Sequence, residues 1–172
     1  LLSSHDATRY RVVAARCNYL AQDRTDIRYA VKELTRHMSK PRVVDWKQLM
    51  NVGKFLNGHM GVRTLYEYQK LSKFMAVWSD TDHAGCLETR KSTSGGVIMM
   101  GGHWIKAWSS TQPIISLSSG EAEYYGCVKA ASQALGFRSL LKDMNVEVKL
   151  RIKTDASCAK SMSMRRGIGG IK

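Results

Sequence analysis

The sequence is poor in proline, in acidic residues and in long apolar stretches. It has 172 residues with two prolines, and 44% of them are hydrophobic, which is typical of a folded chain rather than a disordered one. No apolar run approaches the ~20 residues that a membrane-spanning helix needs. The N-terminus lacks the basic segment, the apolar segment and the cleavage site of a signal peptide. We expect one domain or two small ones, without a membrane partner, in an intracellular location such as the cytoplasm or the nucleus.

Cysteine is also scarce, and its spacing argues against a zinc site. The four cysteines lie far apart, and none of them forms a Cys-x-x-Cys pair. We expect reduced thiols that mostly pack in the interior, and no zinc. The chain begins without methionine and ends abruptly, so we expect it to be a piece of a longer protein.

Acidic residues are far fewer than basic residues. The chain has 27 Lys and Arg against 14 Asp and Glu, a formal net charge of +13. The basic residues are spread along the chain rather than gathered in a tail, which predicts basic surfaces. Such a surface favours a polyanion as partner, although it also serves solubility alone.

Apolar residues spaced by three and four over residues 1–58 predict three amphipathic helices. The predicted apolar positions of the first helix are Tyr10, Val13, Cys17 and Leu20. The predicted N-terminal caps are Asp6 for the first helix, Thr25 or Asp26 for the second and Asp45 for the third. Pro41 is expected to end the second helix and Asn57-Gly58 the third.

The pattern then changes to short extended segments and two helices. A weak alternation over 63–68 predicts an entering strand. Further predicted strands are 73–79, 97–100, 103–108 and 146–154, with a hairpin turn at Gly101-Gly102 and a short extended piece at 114–117. The predicted helices run from Ser118 or Ser119 to about Leu141 and over 156–164, before a glycine-rich break at 167–170. This order predicts an α/β fold: an antiparallel three-strand meander, a crossover helix and a parallel fourth strand.

Three carboxylates fall where such a fold brings them together. Asp80 and Asp155 each follow a predicted strand, and Glu123 lies in the first turns of the helix between those strands. Converging carboxylates repel one another unless a cation lies between them, and oxygen ligands select Mg²⁺ or Mn²⁺. A site of that kind suits phosphodiester cleavage by two metal ions. Taken singly, each acid is also an ordinary cap or turn residue.

Several motifs resemble one family. The stretches Trp78–Cys86 (WSDTDHAGC), Arg90–Gly96 (RKSTSGG) and Leu117–Tyr124 (LSSGEAEY) are similar, in order and spacing, to the ribonuclease H domain of copia-type retrotransposon polyproteins. The stretch Thr154–Ser157 resembles the next acidic motif of that family. The segment 10–31 resembles the end of the preceding reverse transcriptase. The resemblance implies two regions: a helical thumb and connection region over 1–72, and a ribonuclease H-like domain over 73–172 that lacks its last elements.

The same resemblance implies a function. It implies metal-dependent cleavage of the RNA strand of an RNA–DNA hybrid, with Asp80, Glu123 and Asp155 as catalytic residues that bind two Mg²⁺ or Mn²⁺ ions. Glu121 is the alternative to Glu123. Candidate substrate-binding residues are Gly95, Gly96 and Ser119. His83 is either a proton shuttle or an ordinary loop residue. Trp104 and Trp108 are expected to share one strand face and to be buried in the core, with base stacking as the alternative.

The expected partners are the RNA–DNA hybrid and the remainder of the reverse transcriptase polyprotein. The fourth acid of the family would follow Lys172, so we expect this piece to cut slowly or not at all. The main alternative is a catalytically inactive, nucleic-acid-binding or structural remnant of a decayed element. A strand transferase of the integrase type is disfavoured because the usual His/Cys module is absent and the Arg90–Gly95 motif is present.

Overall fold

The computed structural model describes residues 1–165, so the predicted glycine-rich break at 167–170 lies outside the described residues. The chain splits into two compact units, Leu1–Leu65 and Tyr66–Lys172. Each unit has its own buried apolar cluster. No helix in the described part of the chain is long and apolar enough to cross a membrane.

The first unit is helical. Helix α1 spans Ser4–Leu20, a 3₁₀ turn covers Thr25–Ile27, and helices α2 and α3 span Arg28–Arg36 and Val43–Gly58. The prediction of three helices is therefore confirmed.

The helix ends differ from the predicted ones. Ser3, not Asp6, caps α1, because the Ser3 hydroxyl accepts a hydrogen bond from the Asp6 amide at 3.1 Å. Asp45 lies in the first turn of α3 and accepts from the amide of Arg42 at 2.7 Å. Helix α2 ends at Arg36, where the His37 amide bonds back to carbonyls of the last turn. Pro41 is five residues further on and does not end the helix.

The core of the first unit lies between these helices. Its α1 members are Tyr10, Ala14 and Cys17, and its other buried members are Ala21, Ile27, Val31, Leu34, Leu49 and Val52. The predicted positions Val13 and Leu20 are wrong, since they are 40% and 39% exposed. The small side chain of Ala14 occupies the buried stripe instead. Tyr10 is fully buried, and its hydroxyl donates to the carbonyl of Leu34 at 2.8 Å.

The second unit is built on a four-stranded sheet. Strands β1 (Phe74–Asp82), β2 (Thr93–Met100), β3 (His103–Thr111) and β4 (Lys149–Lys153) lie in the order β3-β2-β1-β4. The β1–β2 and β2–β3 pairs are antiparallel, and β4 pairs with β1 in parallel. Helix α4 (Ser119–Asp143) makes the crossover and α5 (Ser157–Met164) follows β4. This topology confirms the predicted mixed sheet of the ribonuclease H-like type.

Some predicted extended segments are not strands. The segment 63–68 belongs to neither helix nor strand, and the short piece 114–117 is irregular. Tyr66 and Gln69 instead hold the hairpin: the Tyr66 hydroxyl donates to the Trp104 carbonyl at 3.2 Å, and the Gln69 amide donates to the Met100 carbonyl at 2.7 Å. The fourth strand is shorter than predicted and begins at Lys149. Strands β1 and β2 are longer than predicted because they pair along their whole length, down to Asp82 opposite Thr93.

The core of the second unit lies between the sheet and α4. Its buried members are Met75, Val77, Ile98, Trp108, Ala130, Ala134 and Val148. An irregularity between Ile98 and Met99 changes the β2–β3 register, so Lys106 pairs with Ile98 but Trp104 pairs with Met99. Trp104 therefore lies on the opposite sheet face from Trp108, and the prediction that they share one buried face is wrong.

Candidate functional site

The pairing of β1 with β4 brings two aspartates together. The last parallel pair is Trp78 opposite Lys153, and each aspartate lies two residues further along its chain. Asp155 follows the end of β4, as predicted. Asp80 lies within β1 rather than at its end, because β2 continues to pair there and places Gly95 opposite it.

Helix α4 brings the third carboxylate. Ser118 caps this helix by accepting from the Glu121 amide at 3.1 Å, and the Glu121 carboxylate accepts from the Leu117 amide at 2.7 Å. Glu121 thus caps the helix and is not a member of the group formed by Asp80, Glu123 and Asp155. Glu123 turns towards the sheet, where its Oε1 accepts from the Thr81 amide at 3.2 Å.

The three acids form one cluster. One carboxylate oxygen from each of Asp80, Glu123 and Asp155 lies within 4.8 Å of the others. Burial raises the pKa of Glu123, and the negative charges of Asp80 and Asp155 raise it further, against the lowering effect of the Thr81 amide. The Oε2 atom of Glu123 is buried without a hydrogen-bond partner among the described residues. The role of the three acids as metal ligands stays a prediction.

These observations fit a divalent cation. An unpartnered, buried carboxylate oxygen beside two further carboxylates is an unfavourable arrangement that a positive charge would relieve. All three donors are hard oxygen atoms, which suit Mg²⁺ or Mn²⁺ better than softer metals.

A close contact between α4 and β1 sets the position of Glu123. Gly126 lies one turn after Glu123, and a Cβ atom there would overlap the Thr81 hydroxyl and press on that of Ser79. Both hydroxyls are buried and lack partners among the described residues. Glycine at this position lets the helix approach the sheet, which keeps Glu123 within reach of the Thr81 amide. The only signal in the sequence is a glycine inside a helical pattern.

A buried glutamine also ties α4 to the sheet. The Gln112 side chain donates to the Ala122 carbonyl at 2.8 Å and to the Ser94 hydroxyl at 2.9 Å. The Ser116 hydroxyl donates in turn to Gln112 Oε1 at 2.9 Å. This network holds the first turn of α4 against β2, and no local pattern in the sequence indicated it.

The other candidate residues lie on β2, at the start of α4 and in the β1–β2 loop. A side chain on Gly96 would overlap the Trp108 ring, so the packing of that ring already requires glycine there. Gly95 lies opposite Asp80, and a Cβ atom at Gly95 would come no closer than 3.8 Å to its neighbours, so the packing does not require glycine at this position. Ser119 is the exposed first residue of α4, and His83 is exposed in the β1–β2 loop, outside the acid cluster. Substrate binding by these residues stays a prediction.

A cleft of about 590 Å³ adjoins the acids. Its lining includes Asp80 and Asp155 together with Trp78, Gly95, Gly96 and Lys153. The ammonium group of Lys153 lies 4.1 Å from the centre of the Trp78 ring.

Comparisons with known proteins agree with the motifs. The chain is 30% identical over 143 residues to the retrovirus-related Pol polyprotein from transposon RE2 of Arabidopsis thaliana, covering 83% of this chain. It is 32% identical over 145 residues to the corresponding polyprotein from transposon RE1, again covering 83% of this chain. Its homologues are retrovirus-related Pol polyproteins of copia-type transposons.

A third relative, the uncharacterized mitochondrial protein AtMg00810 of Arabidopsis thaliana, is 30% identical over 128 residues, which is 74% of this chain. This chain spans 53% of that protein and 10% of each of the two Pol polyproteins. No protein-family model matches the chain. No solved structure matches it significantly.

Proposed function

We propose that this region of a copia-type Pol polyprotein is a ribonuclease H, which hydrolyses the RNA strand of an RNA–DNA hybrid with the help of Mg²⁺ or Mn²⁺. The observation that carries the proposal is the convergence of Asp80, Glu123 and Asp155 within 4.8 Å on a ribonuclease H-like sheet. The motifs and the relatives named as transposon Pol polyproteins support it.

Hydrolysis of the RNA strand by this mechanism requires that the chain hold three carboxylates at fixed separations. Hydrolysis breaks the bond between phosphorus and the 3′-oxygen; the water oxygen stays on the 5′-phosphate and a proton ends on the 3′-oxygen. Two divalent ions in such a site supply activation of the water and stabilisation of the leaving oxygen. The β1–β2 and β1–β4 pairs position Asp80 and Asp155, and the Thr81 amide positions Glu123.

Recognition of the hybrid would rest mainly on charge. A net charge of +13 favours contacts to phosphates, which carry no base sequence, so we expect little sequence preference and strong salt dependence. Contacts to the 2′-hydroxyls would distinguish the RNA strand. The remainder of the polyprotein is the proposed protein partner.

A gel assay on a hybrid with labelled RNA tests the proposal. We expect slow cutting in Mn²⁺ or Mg²⁺ and none in chelator or in Asp80→Asn. Asp82→Asn is the matched control, because Asp82 lies two residues along the same strand but outside the cluster, and it should cut like the parent. Hybrid binding without any cutting would favour the inactive remnant, and cutting by Asp80→Asn would show that other residues carry the chemistry.

A further inference from the structure

Two lysines lie in the groove between α4 and β3, which is an edge strand of the sheet. The Lys106 ammonium donates to Gln133 Oε1 at 2.7 Å, and the Lys129 ammonium donates to the Ser110 hydroxyl. Lys106 and Ser110 lie on the same face of β3, and Lys129 and Gln133 lie one turn apart on α4. The two lysines therefore line the same groove about one turn of α4 apart, and we call them the lysine pair.

The lysine pair has neutral partners only. Among the described residues, neither lysine forms an ion pair with a carboxylate. The Lys106 amine bonds to an amide oxygen and lies 5.7 Å from the centre of the Phe137 ring, and the Lys129 amine bonds to a hydroxyl. Both side chains are partly buried. Burial lowers the pKa of Lys129, and the positive charge of Lys106 lowers it further.

This arrangement costs stability in the absence of a ligand. Two partly desolvated ammonium groups repel each other, and a hydroxyl and an amide compensate them less well than an anion would. A phosphodiester brings the missing negative charge, and its acceptor oxygens suit the remaining ammonium hydrogens.

The position of the lysine pair relative to the acids fits a nucleic-acid backbone. Lys129 follows Glu123 by six residues of α4, ~9 Å along the helix axis. That distance corresponds to two or three steps of a duplex at ~3.4 Å each. Phosphates along a duplex are thus spaced closely enough for one to lie at the acid cluster while another lies on the β3 side of α4, where the lysine pair is.

We propose that the lysine pair, Lys106 and Lys129, is a backbone-phosphate site that holds a nucleic-acid duplex beside the acid cluster. The inference rests on the proposed function for its choice of ligand. It differs from that function because it concerns binding through side chains that take no part in the reaction.

Hybrid binding at several KCl concentrations, in chelator so that nothing is cut, tests the inference. The variants are Lys106→Gln and Lys129→Gln, with Lys142→Gln as matched control, because Lys142 is an exposed lysine of the same helix and its loss removes the same charge. We expect Lys106→Gln and Lys129→Gln each to reduce the magnitude of the slope of log affinity against log salt by about one unit. The control Lys142→Gln should leave that slope nearly unchanged. Equal slopes in all three variants would overturn the proposal.

A second variant separates binding from folding. Lys129→Met keeps the length of the side chain and removes the buried charge, so we expect it to resist urea at least as well as the parent while binding more weakly. A large loss of urea resistance would instead show that the Lys129 ammonium serves the fold, which would overturn the inference.

The two proposals fail differently. Weakened binding by the lysine variants together with a parent chain that never cuts would favour the inactive remnant and still support the lysine pair. Cutting that depends on Asp80, with lysine variants that bind like Lys142→Gln, would refute the lysine pair alone.

Discussion

At the scale of single residues, the environment of each ionisable group decides its role. Glu121 and Glu123 are two residues apart on α4, yet one caps the helix and the other meets the aspartates. The difference follows from the helical period, which turns successive side chains to different faces. Tyr10, by contrast, is fully buried in an apolar cluster, and its hydroxyl donates to the Leu34 carbonyl.

The first prediction concerns Glu123. In chelator its charge lies beside two other negative charges, so Glu123→Gln should melt slightly higher than the parent, by about 2 °C. In millimolar Mn²⁺ the parent should gain stability by preferential binding to the folded state, and the variant should gain much less. Thermal melts with and without Mn²⁺ measure this. Glu121→Gln is the control and should respond to Mn²⁺ like the parent; a parent melt that Mn²⁺ does not shift would count against a metal site.

The second prediction concerns Tyr10. Burial, together with the nearby negative charge of Asp45, raises the pKa of Tyr10 to about 12. A raised folded-state pKa means that the stabilisation is complete below the ordinary pKa of 10.0 and is lost as the pH rises towards 12. Tyr10→Phe should cost about 1 kcal/mol at pH ~8 through the lost hydrogen bond, and should lose less stability than the parent by pH ~11.

Urea unfolding at the two pH values measures the effect of Tyr10→Phe. Tyr19 lies on the same helix and is 79% exposed, so Tyr19→Phe should have the same free energy of unfolding as the parent at both pH values. A parent that is no more sensitive to alkali than Tyr10→Phe would contradict the assignment.

At the scale of elements, the approach of α4 to β1 governs the candidate site. The helix can come close because Gly126 faces the hydroxyls of Ser79 and Thr81. Gly136 lies ten residues later in the same helix, and a side chain there would meet no atom within 4 Å. The two glycines therefore test packing and helix propensity separately.

The third prediction compares these two glycines. Gly126→Ala should destabilise by about 1–3 kcal/mol, because the new methyl group overlaps Thr81. Gly136→Ala should stabilise by about 0.5–1 kcal/mol, because alanine has the higher helix propensity. Adding Thr81→Ala to Gly126→Ala should restore part of the loss by making room for the methyl group. Urea unfolding measures all three; equal effects of the two glycine substitutions would show that the close contact is unimportant.

At the scale of the whole molecule, the chain consists of two units with separate buried clusters. Each cluster draws on its own elements: the three helices in the first unit, and the sheet with α4 in the second. A protein with two cores is expected to lose them in separate steps when their stabilities differ.

The fourth prediction uses tryptophan to follow the two units. Trp46 is the tryptophan of the first unit, and Trp78, Trp104 and Trp108 belong to the second. In the Trp46→Phe variant, tryptophan fluorescence reports on the second unit alone, whereas far-ultraviolet circular dichroism reports on both units. We expect the two unfolding curves in urea to have different midpoints. Coincident curves with one midpoint would show that the chain unfolds as a single cooperative unit.

Much of the fold was predictable from local pattern. The three early helices follow from apolar spacing, and the hairpin at Gly101-Gly102 from its turn residues. The convergence of the three acids was predictable because a crossover helix and a parallel fourth strand bring fixed sequence positions to one edge of a sheet. Exact ends were less predictable, since Ser3 rather than Asp6 caps α1.

Sequence alone therefore determined the order of elements, the basic character and the three acids, because periodicity, charge and strand order are properties of the chain itself. Only the tertiary structure decided which side chains meet. The register change after Ile98 put Trp104 and Trp108 on opposite faces, and the contact of Gly126 with Thr81 placed Glu123. The lysine pair likewise joins residues of β3 and α4. Such contacts depend on how two elements pack, which no single stretch of sequence encodes.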